Sequence, residues 1–205
     1  MRPPRPAPPR LPETALSDAS PHADFLDVLS VVPDAVIDLR YGTEDNFIGT
    51  PLYPAGTRCV IHKDLADGLR TAAEELRKSG EVLVFWDGYR PYDVQVQLFN
   101  AMPNPKWVAE PCGYARNHTA GRSVDVTLAR RDAPAGELVD MGTDFDDFTP
   151  RSLAYATEGL TDDQQENRQR LRAAMRAGGF RVYEPEWWHF DGPGAAVPRP
   201  LIVPS

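Results

Sequence analysis

Two of the four histidines stand beside carboxylates in patterns that could do metal chemistry. His118 opens the run His118-Thr119-Ala120-Gly121-Arg122-Ser123-Val124-Asp125, where a glycine turn feeds a segment of alternating apolar and polar residues. Val124, Val126 and Leu128 take one face of a strand, so Ser123, Asp125 and Thr127 take the other. Turn and strand together can deliver His118 and Asp125 to one cleft as metal ligands. The same two residues read equally as a hydrogen-bonded His–Asp pair. His189 lies in Glu186-Trp187-Trp188-His189-Phe190. In a regular strand Glu186 and His189 point to opposite sides, so the chain must bend after Pro185 if both serve one site. The alternative is an aromatic core strand with a paired histidine. Two histidines and a carboxylate would leave an open position for water on a zinc ion, the arrangement of a hydrolytic site, with Glu186 as the natural base. Arg90 follows an apolar run at the Asp87-Gly88 turn; it either pairs with a nearby carboxylate or stabilises the oxyanion of an attacked carbonyl. His22 and His62 carry less: one borders a proline-rich stretch, and the other sits near a helix start as a surface or capping residue.

The elements that must position these residues are legible from periodicity. Leu65, Leu69, Ala73 and Leu76 share one face of a helix within residues 62–78, closed by Gly80. Val82 to Trp86 is a short continuous apolar run, as expected of a buried strand. Pro91 suits the first turn of a second helix that buries Val94, Leu98 and Met102. Thr161 and Gln164 form a capping box, and Gly178-Gly179 ends the helix it starts. Val182-Tyr183 and Trp187 to Phe190 are further strand candidates. Without a regular βαβ rhythm, the mixture predicts an α+β fold: a small single domain with a central antiparallel sheet flanked by helices.

Composition excludes several classes. The 205 residues suit one domain, and 30 acidic against 22 basic side chains, net −8, disfavour a nucleic-acid partner. No apolar stretch is long enough for a membrane helix. Eleven of the 21 prolines lie in residues 1–21 or 193–205. Residues 1–21 therefore read as a disordered Pro/Arg-rich arm, 22–192 as the folded domain and 193–205 as a Pro-rich tail. The arm lacks the apolar core of a secretory signal, which leads us to expect a cytoplasmic protein. Cys59 and Cys112 are expected as free thiols outside the metal pattern.

These motifs resemble one family. His118-x-x-Gly121-x-Ser123-x-Asp125 followed by Glu186-x-x-His189 looks like the zinc D-Ala-D-Ala peptidases, whose small α+β fold is shared with zinc D,D-carboxypeptidases and the hedgehog amino-terminal domain. Further blocks resemble the D-alanyl-D-alanine dipeptidases of the vancomycin-resistance type: residues 38–43, 46–49, 86–91, 141–146, 167–179 and 186–190. The resemblance implies one zinc ion per chain on His118, Asp125 and His189, with Glu186 as base and proton shuttle and Arg90 as transition-state stabiliser. It implies a dipeptide substrate from cell-wall peptidoglycan chemistry, D-alanyl-D-alanine or a close relative, and a link to antibiotic resistance. Tyr41 and Asp146 match positions that hold the substrate's free amino group, although Asp144 and Asp147 flank the latter. Two positions depart from the pattern: Arg116 replaces the usual serine and Ser123 the usual alanine, so both are substrate-pocket candidates and Arg116 could alter specificity. A cell-wall D,D-carboxypeptidase or endopeptidase, and a non-catalytic zinc-binding module, are the alternative readings.

Overall fold

The computed structural model describes residues 24–133 and 137–202. The expected arm over 1–21, and His22, lie outside the described residues. The strands are β1 (Phe25–Asp27), β2 (Val36–Ile37), β3 (Val60–His62), β4 (Glu81–Asp87), β5 (Ser123–Arg130), β6 (Arg181–Val182) and β7 (His189–Asp191). The helices are α1 (Val28–Val31), α2 (Ala66–Arg77), α3 (Tyr92–Ala101) and α4 (Asp162–Ala177). A five-stranded sheet runs β2-β4-β5-β7-β6, and β1 pairs with β3 separately. The central sheet is antiparallel except at one edge, where two-residue β2 lies parallel to β4. This is an α+β fold, as the periodicity predicts.

The continuous apolar run of β4 is buried on both faces, with Leu83, Val84 and Phe85 fully inaccessible. Each such side chain contributes about 1.5–3 kcal/mol of burial. In β5 the alternation survives but its polar half is also buried: Ser123, Asp125 and Thr127 are at most 2% exposed. A sheet face that hides carboxylates must supply them with partners, and that face carries the candidate site.

Register positions the site. β5 and β7 pair Asp125 directly opposite His189 and Ser123 opposite Asp191. On the other flank, an irregularity between Phe85 and Asp87 sets Asp87 opposite Asp125. Such a bulge re-aims a side chain at a strand end. The sheet thus brings three chemistry-bearing residues into one row across β4, β5 and β7.

The helix read from Leu65, Leu69, Ala73 and Leu76 is α2, preceded by a 3-10 turn over Lys63–Leu65. His62 caps that turn by accepting the Asp64 amide, in keeping with its structural reading. Thr161 and Gln164 form the expected capping box of α4. Helices α2 and α4 pack together, and glycine permits their closest approach. A Cβ on Gly68 would fall on the Gly178 carbonyl oxygen, and one on Gly178 would fall on that of Gly68. Arg168 of α4 is almost fully buried, and its guanidinium donates to the carbonyls of Met141, Arg151 and Leu153. It fastens the segment that carries Asp146 to the helix layer.

The Pro-rich tail is built into the fold as far as residue 202. Asn117 donates its amide to the Ala195 carbonyl, Ala115 and Arg199 form a two-way backbone bridge, and Arg122 donates to the Pro193 carbonyl. Residues 193–199 therefore buttress the turn that holds His118.

The reciprocal contact of Gly68 and Gly178 predicts that Gly68→Ala destabilises the fold by about 1–3 kcal/mol through overpacking. Thermal unfolding of the variant should show a lowered Tm with unchanged secondary structure.

Candidate active site

His118 is presented by a 3-10 turn over Asn117–Ala120 that closes on Gly121 in the left-handed region, φ 63°. A side chain at Gly121 would collide with the Phe25 ring, so this position needs glycine for space as well as conformation. The His118 Nδ1–H donates to the Gly88 carbonyl at 2.8 Å, which leaves Nε2 with its lone pair facing the cavity. His189 is oriented in the same way by Asp191: its Nε2–H donates to Asp191 Oδ1 at 3.0 Å, which turns Nδ1 toward Asp125 and His118. Asp191 Oδ1 is itself fixed by the Ser123 hydroxyl and the Asn117 amide. Backing of a ligand histidine by a carboxylate or carbonyl is characteristic of metal sites.

The two inward-facing nitrogens and one oxygen of Asp125 converge. His118 Nε2 lies 3.0 Å from His189 Nδ1 and 3.3 Å from Asp125 Oδ1, and His189 Nδ1 lies 3.1 Å from the same oxygen. Such a triangle needs a positive charge within it, a metal ion or a proton; hydrogen bonds to Asp125 and Asp191 outweigh burial and raise the His189 pKa well above the ordinary histidine value. A tetrahedral zinc site with bonds of about 2.0–2.1 Å sets its donors roughly 3.3 Å apart, and this set fits it. His118, Asp125 and His189 are the cluster that could hold a metal ion among the described residues.

Glu186 is also at this point. It lies in the turn between β6 and β7, and the backbone bonds Glu186 N–H to Tyr183 O and His189 N–H to Glu186 O close the bend that the sequence required. Its Oε2 is 3.9 Å from His189 Nδ1. Burial, assisted by the charges of Asp125 and Asp146, raises its pKa well above the ordinary glutamate value. Asp125 shows the opposite behaviour: burial resists its charge, but His118 and His189 hold its pKa far below the usual carboxylate range.

Arg90 pairs with nearby carboxylates, the first of the two readings its sequence context allows. Its guanidinium pairs with Asp87 at 2.7 Å, donates to Gln95 Oε1 at 2.9 Å, reaches Asp125 Oδ2 at 3.4 Å and lies over the Tyr41 ring at 5.0 Å. Asp87 is fully buried and also accepts from the Tyr53 hydroxyl and the Gly88 amide. The cation is thus immobilised at the edge of the triangle.

Tyr41 and Asp146 meet across the cavity, the Tyr41 hydroxyl donating to Asp146 Oδ2 at 3.0 Å. Of the three neighbouring aspartates only Asp146 lines the cavity; Asp144 approaches Arg40 instead, at 3.6 Å. Asp146 adopts a left-handed backbone, φ 56°, and its pKa is pushed up to about 8 by burial and the nearby Asp125 charge. Arg116 lines the same cavity, whose volume is about 380 Å³. Ser123 departs from expectation. It is fully buried beneath the cavity, where its hydroxyl binds Asp191, so it supports His189 instead of lining the substrate pocket.

Sequence reasoning missed three supporting residues. Asp191 sits two positions after His189 in a strand and so shares its side, a signal that was available. Gln95 is a polar residue on the buried face of α3 between Val94 and Leu98, also a readable anomaly. Asp87 was hidden inside an Asp-Gly turn signal. Both cysteines are free, Cys59 buried and Cys112 exposed.

Residues 21–203 match the family model described as D-ala-D-ala dipeptidase. A D-alanyl-D-alanine dipeptidase of Escherichia coli (strain K12) is 37% identical over 180 residues, covering 88% of this chain and 90% of that protein. One from Enterococcus faecium is 35% identical over 191 residues, covering 81% and 89%. Among solved structures, a mutant vancomycin resistance D,D-pentapeptidase in complex with Zn(II) aligns over 68% of this chain and 76% of that one, with 16% identity and a TM-score of 0.40.

If the triangle holds a metal, His118→Ala should remove it while the fold persists. Metal analysis should give about one ion per wild-type chain and none for the variant. Saturation at a hundredfold excess over Kd adds about 2.7 kcal/mol, so the wild-type Tm should rise by roughly 5–10 °C. That shift should vanish in His118→Ala.

Proposed function

The chain belongs to the D-Ala-D-Ala dipeptidase family of peptidases, and from that premise we propose that it hydrolyses D-alanyl-D-alanine, or a closely related dipeptide, to free amino acids. The observation that carries the reading is the trio of converging atoms, His118 Nε2, His189 Nδ1 and Asp125 Oδ1, with a buried glutamate beside it. We assign the ion to zinc, one per chain, because two imidazoles and one carboxylate are a hydrolytic zinc set with a position left for water. When bound, zinc supplies a Lewis acid for the scissile carbonyl and lowers the pKa of water to about 7.

The remaining chemistry belongs to side chains. Glu186 takes the proton of the attacking water and returns it to the departing amine. Burial, with the charges of Asp125 and Asp146, raises its pKa above the ordinary glutamate value and so makes it a stronger base for that proton. Arg90 neutralises the oxyanion of the tetrahedral intermediate. Its clamps, Asp87 and Gln95, mean that no reorganisation is needed as charge develops. Tyr41 and Asp146 receive the substrate's ammonium, which supplies the counter-charge their buried pair lacks.

The assignment predicts that Glu186→Gln retains one zinc per chain yet loses about 10²–10⁴-fold in kcat. Release of D-alanine from D-Ala-D-Ala, set beside longer peptides ending in that pair, measures it. Turnover of the variant at the wild-type rate would remove Glu186 from the mechanism, and preferential cleavage of the longer peptides would favour a D,D-carboxypeptidase.

A further inference from the structure

The cavity is charged unevenly. Asp125, Asp146, Glu186 and Asp191 line it, and the arginine among them, Arg90, is committed to Asp87 and Asp125. The segment over 105–117 adds Glu110 and two cations, Lys106 and Arg116, to the lining. Among the described residues neither forms an ion pair. Lys106 lies over the Trp107 ring at 4.4 Å and Arg116 near the Tyr114 ring at 5.8 Å. The protein is strongly acidic, and elsewhere Arg40, Arg77, Arg122 and Arg170 all hold carboxylates. A half-buried guanidinium left without protein counter-charge in a ligand cavity is available to an anion of the ligand.

Arg116 is also attached in a way that leaves its side chain free. Its backbone N–H donates to the Thr119 hydroxyl at 2.9 Å, and its carbonyl accepts from that hydroxyl at 2.8 Å. The His118 turn is therefore held by the backbone of residue 116 and not by the guanidinium.

The position of this cation in the cavity matters. Arg116 lies over the Tyr114 ring and close enough to Tyr183 for its charge to act on that hydroxyl. The Tyr183 hydroxyl donates to the Lys106 carbonyl at 3.2 Å, and its ring lies 5.5 Å from that of His189. Tyr183, Lys106 and Arg116 thus belong to one wall and Tyr41 with Asp146 to another, while the His–Asp–His triangle serves both. An extended dipeptide spans about 7 Å and carries an ammonium at one end and a carboxylate at the other.

Resting on the dipeptidase reading, in which the ammonium goes to Tyr41 and Asp146, we propose that Arg116 receives the substrate's free α-carboxylate, with Lys106 as a second cation on the same wall. Arg116 is then the residue that selects a free dipeptide over one whose carboxyl end is blocked.

The test compares D-Ala-D-Ala with D-Ala-D-alaninamide on the zinc-loaded full chain, as wild type, Arg116→Ala and Arg116→Lys. Loss of a charge-assisted contact should reduce the acid-over-amide ratio of kcat/KM about tenfold or more in Arg116→Ala, mainly through KM. Arg116→Lys should restore part of it. An unchanged ratio in Arg116→Ala, with the acid still cleaved by wild type, overturns this proposal alone. Wild type that cleaves neither compound overturns the dipeptidase reading and this proposal with it.

Discussion

His118 Nε2, His189 Nδ1 and Asp125 Oδ1 are held within 3.3 Å of one another, and the surrounding fold is arranged to keep them there. A buried carboxylate beside two imidazoles requires a compensating positive charge, from a metal ion or from a proton on His189. The fold restrains each of them through a different element. Cross-strand register fixes Asp125 against His189, a glycine-closed turn braced by residues 193–199 fixes His118, and Asp191 with Ser123 and Asn117 fixes the His189 ring. The outer partners set which nitrogen of each histidine faces inward, so a metal held by the proposed trio would depend on them as well as on the three residues themselves.

The same arrangement separates the roles of carboxylates that differ little in chemistry. Asp125 lies between two imidazoles and stays ionised, whereas Glu186 and Asp146 are buried beside negative charge and hold protons more tightly. In the proposed mechanism, environment more than residue type distinguishes the ligand Asp125 from the proton carrier Glu186. Arg90 balances this acidic row from the β4 side, and its own position depends on the bulge that turns Asp87 inward. A substitution at Asp87 or Gln95 would therefore loosen Arg90 without altering any of the three residues of the triangle.

Local pattern carried much of this architecture. The 3.6-residue periodicity of α2, the capping box of α4 and the alternation in β5 were legible because each is determined within a dozen residues. The need for a bend between Glu186 and His189 was also legible, since strand alternation forbids both on one side. Relations among distant segments were not. The Asp125–His189 register, the pairing of Ser123 with Asp191 and the packing of the Pro-rich tail against the His118 turn arise from tertiary contact, and no local spacing encodes them. Ser123 illustrates the difference: its alternation with Asp125 was correct, yet the cavity floor covers it and turns its hydroxyl to a supporting task. Arg116 shows the converse, a departure visible in the sequence whose meaning depends on which wall of the cavity it occupies.

Anomalous diffraction at the zinc edge, on crystals of the zinc-loaded protein, would locate the ion proposed for His118, Asp125 and His189. One peak is expected about 2.0–2.2 Å from His118 Nε2, His189 Nδ1 and an Asp125 carboxylate oxygen. A zinc peak elsewhere, or a metal-free triangle in which His118 and His189 share a proton under saturating zinc, would rule that centre out.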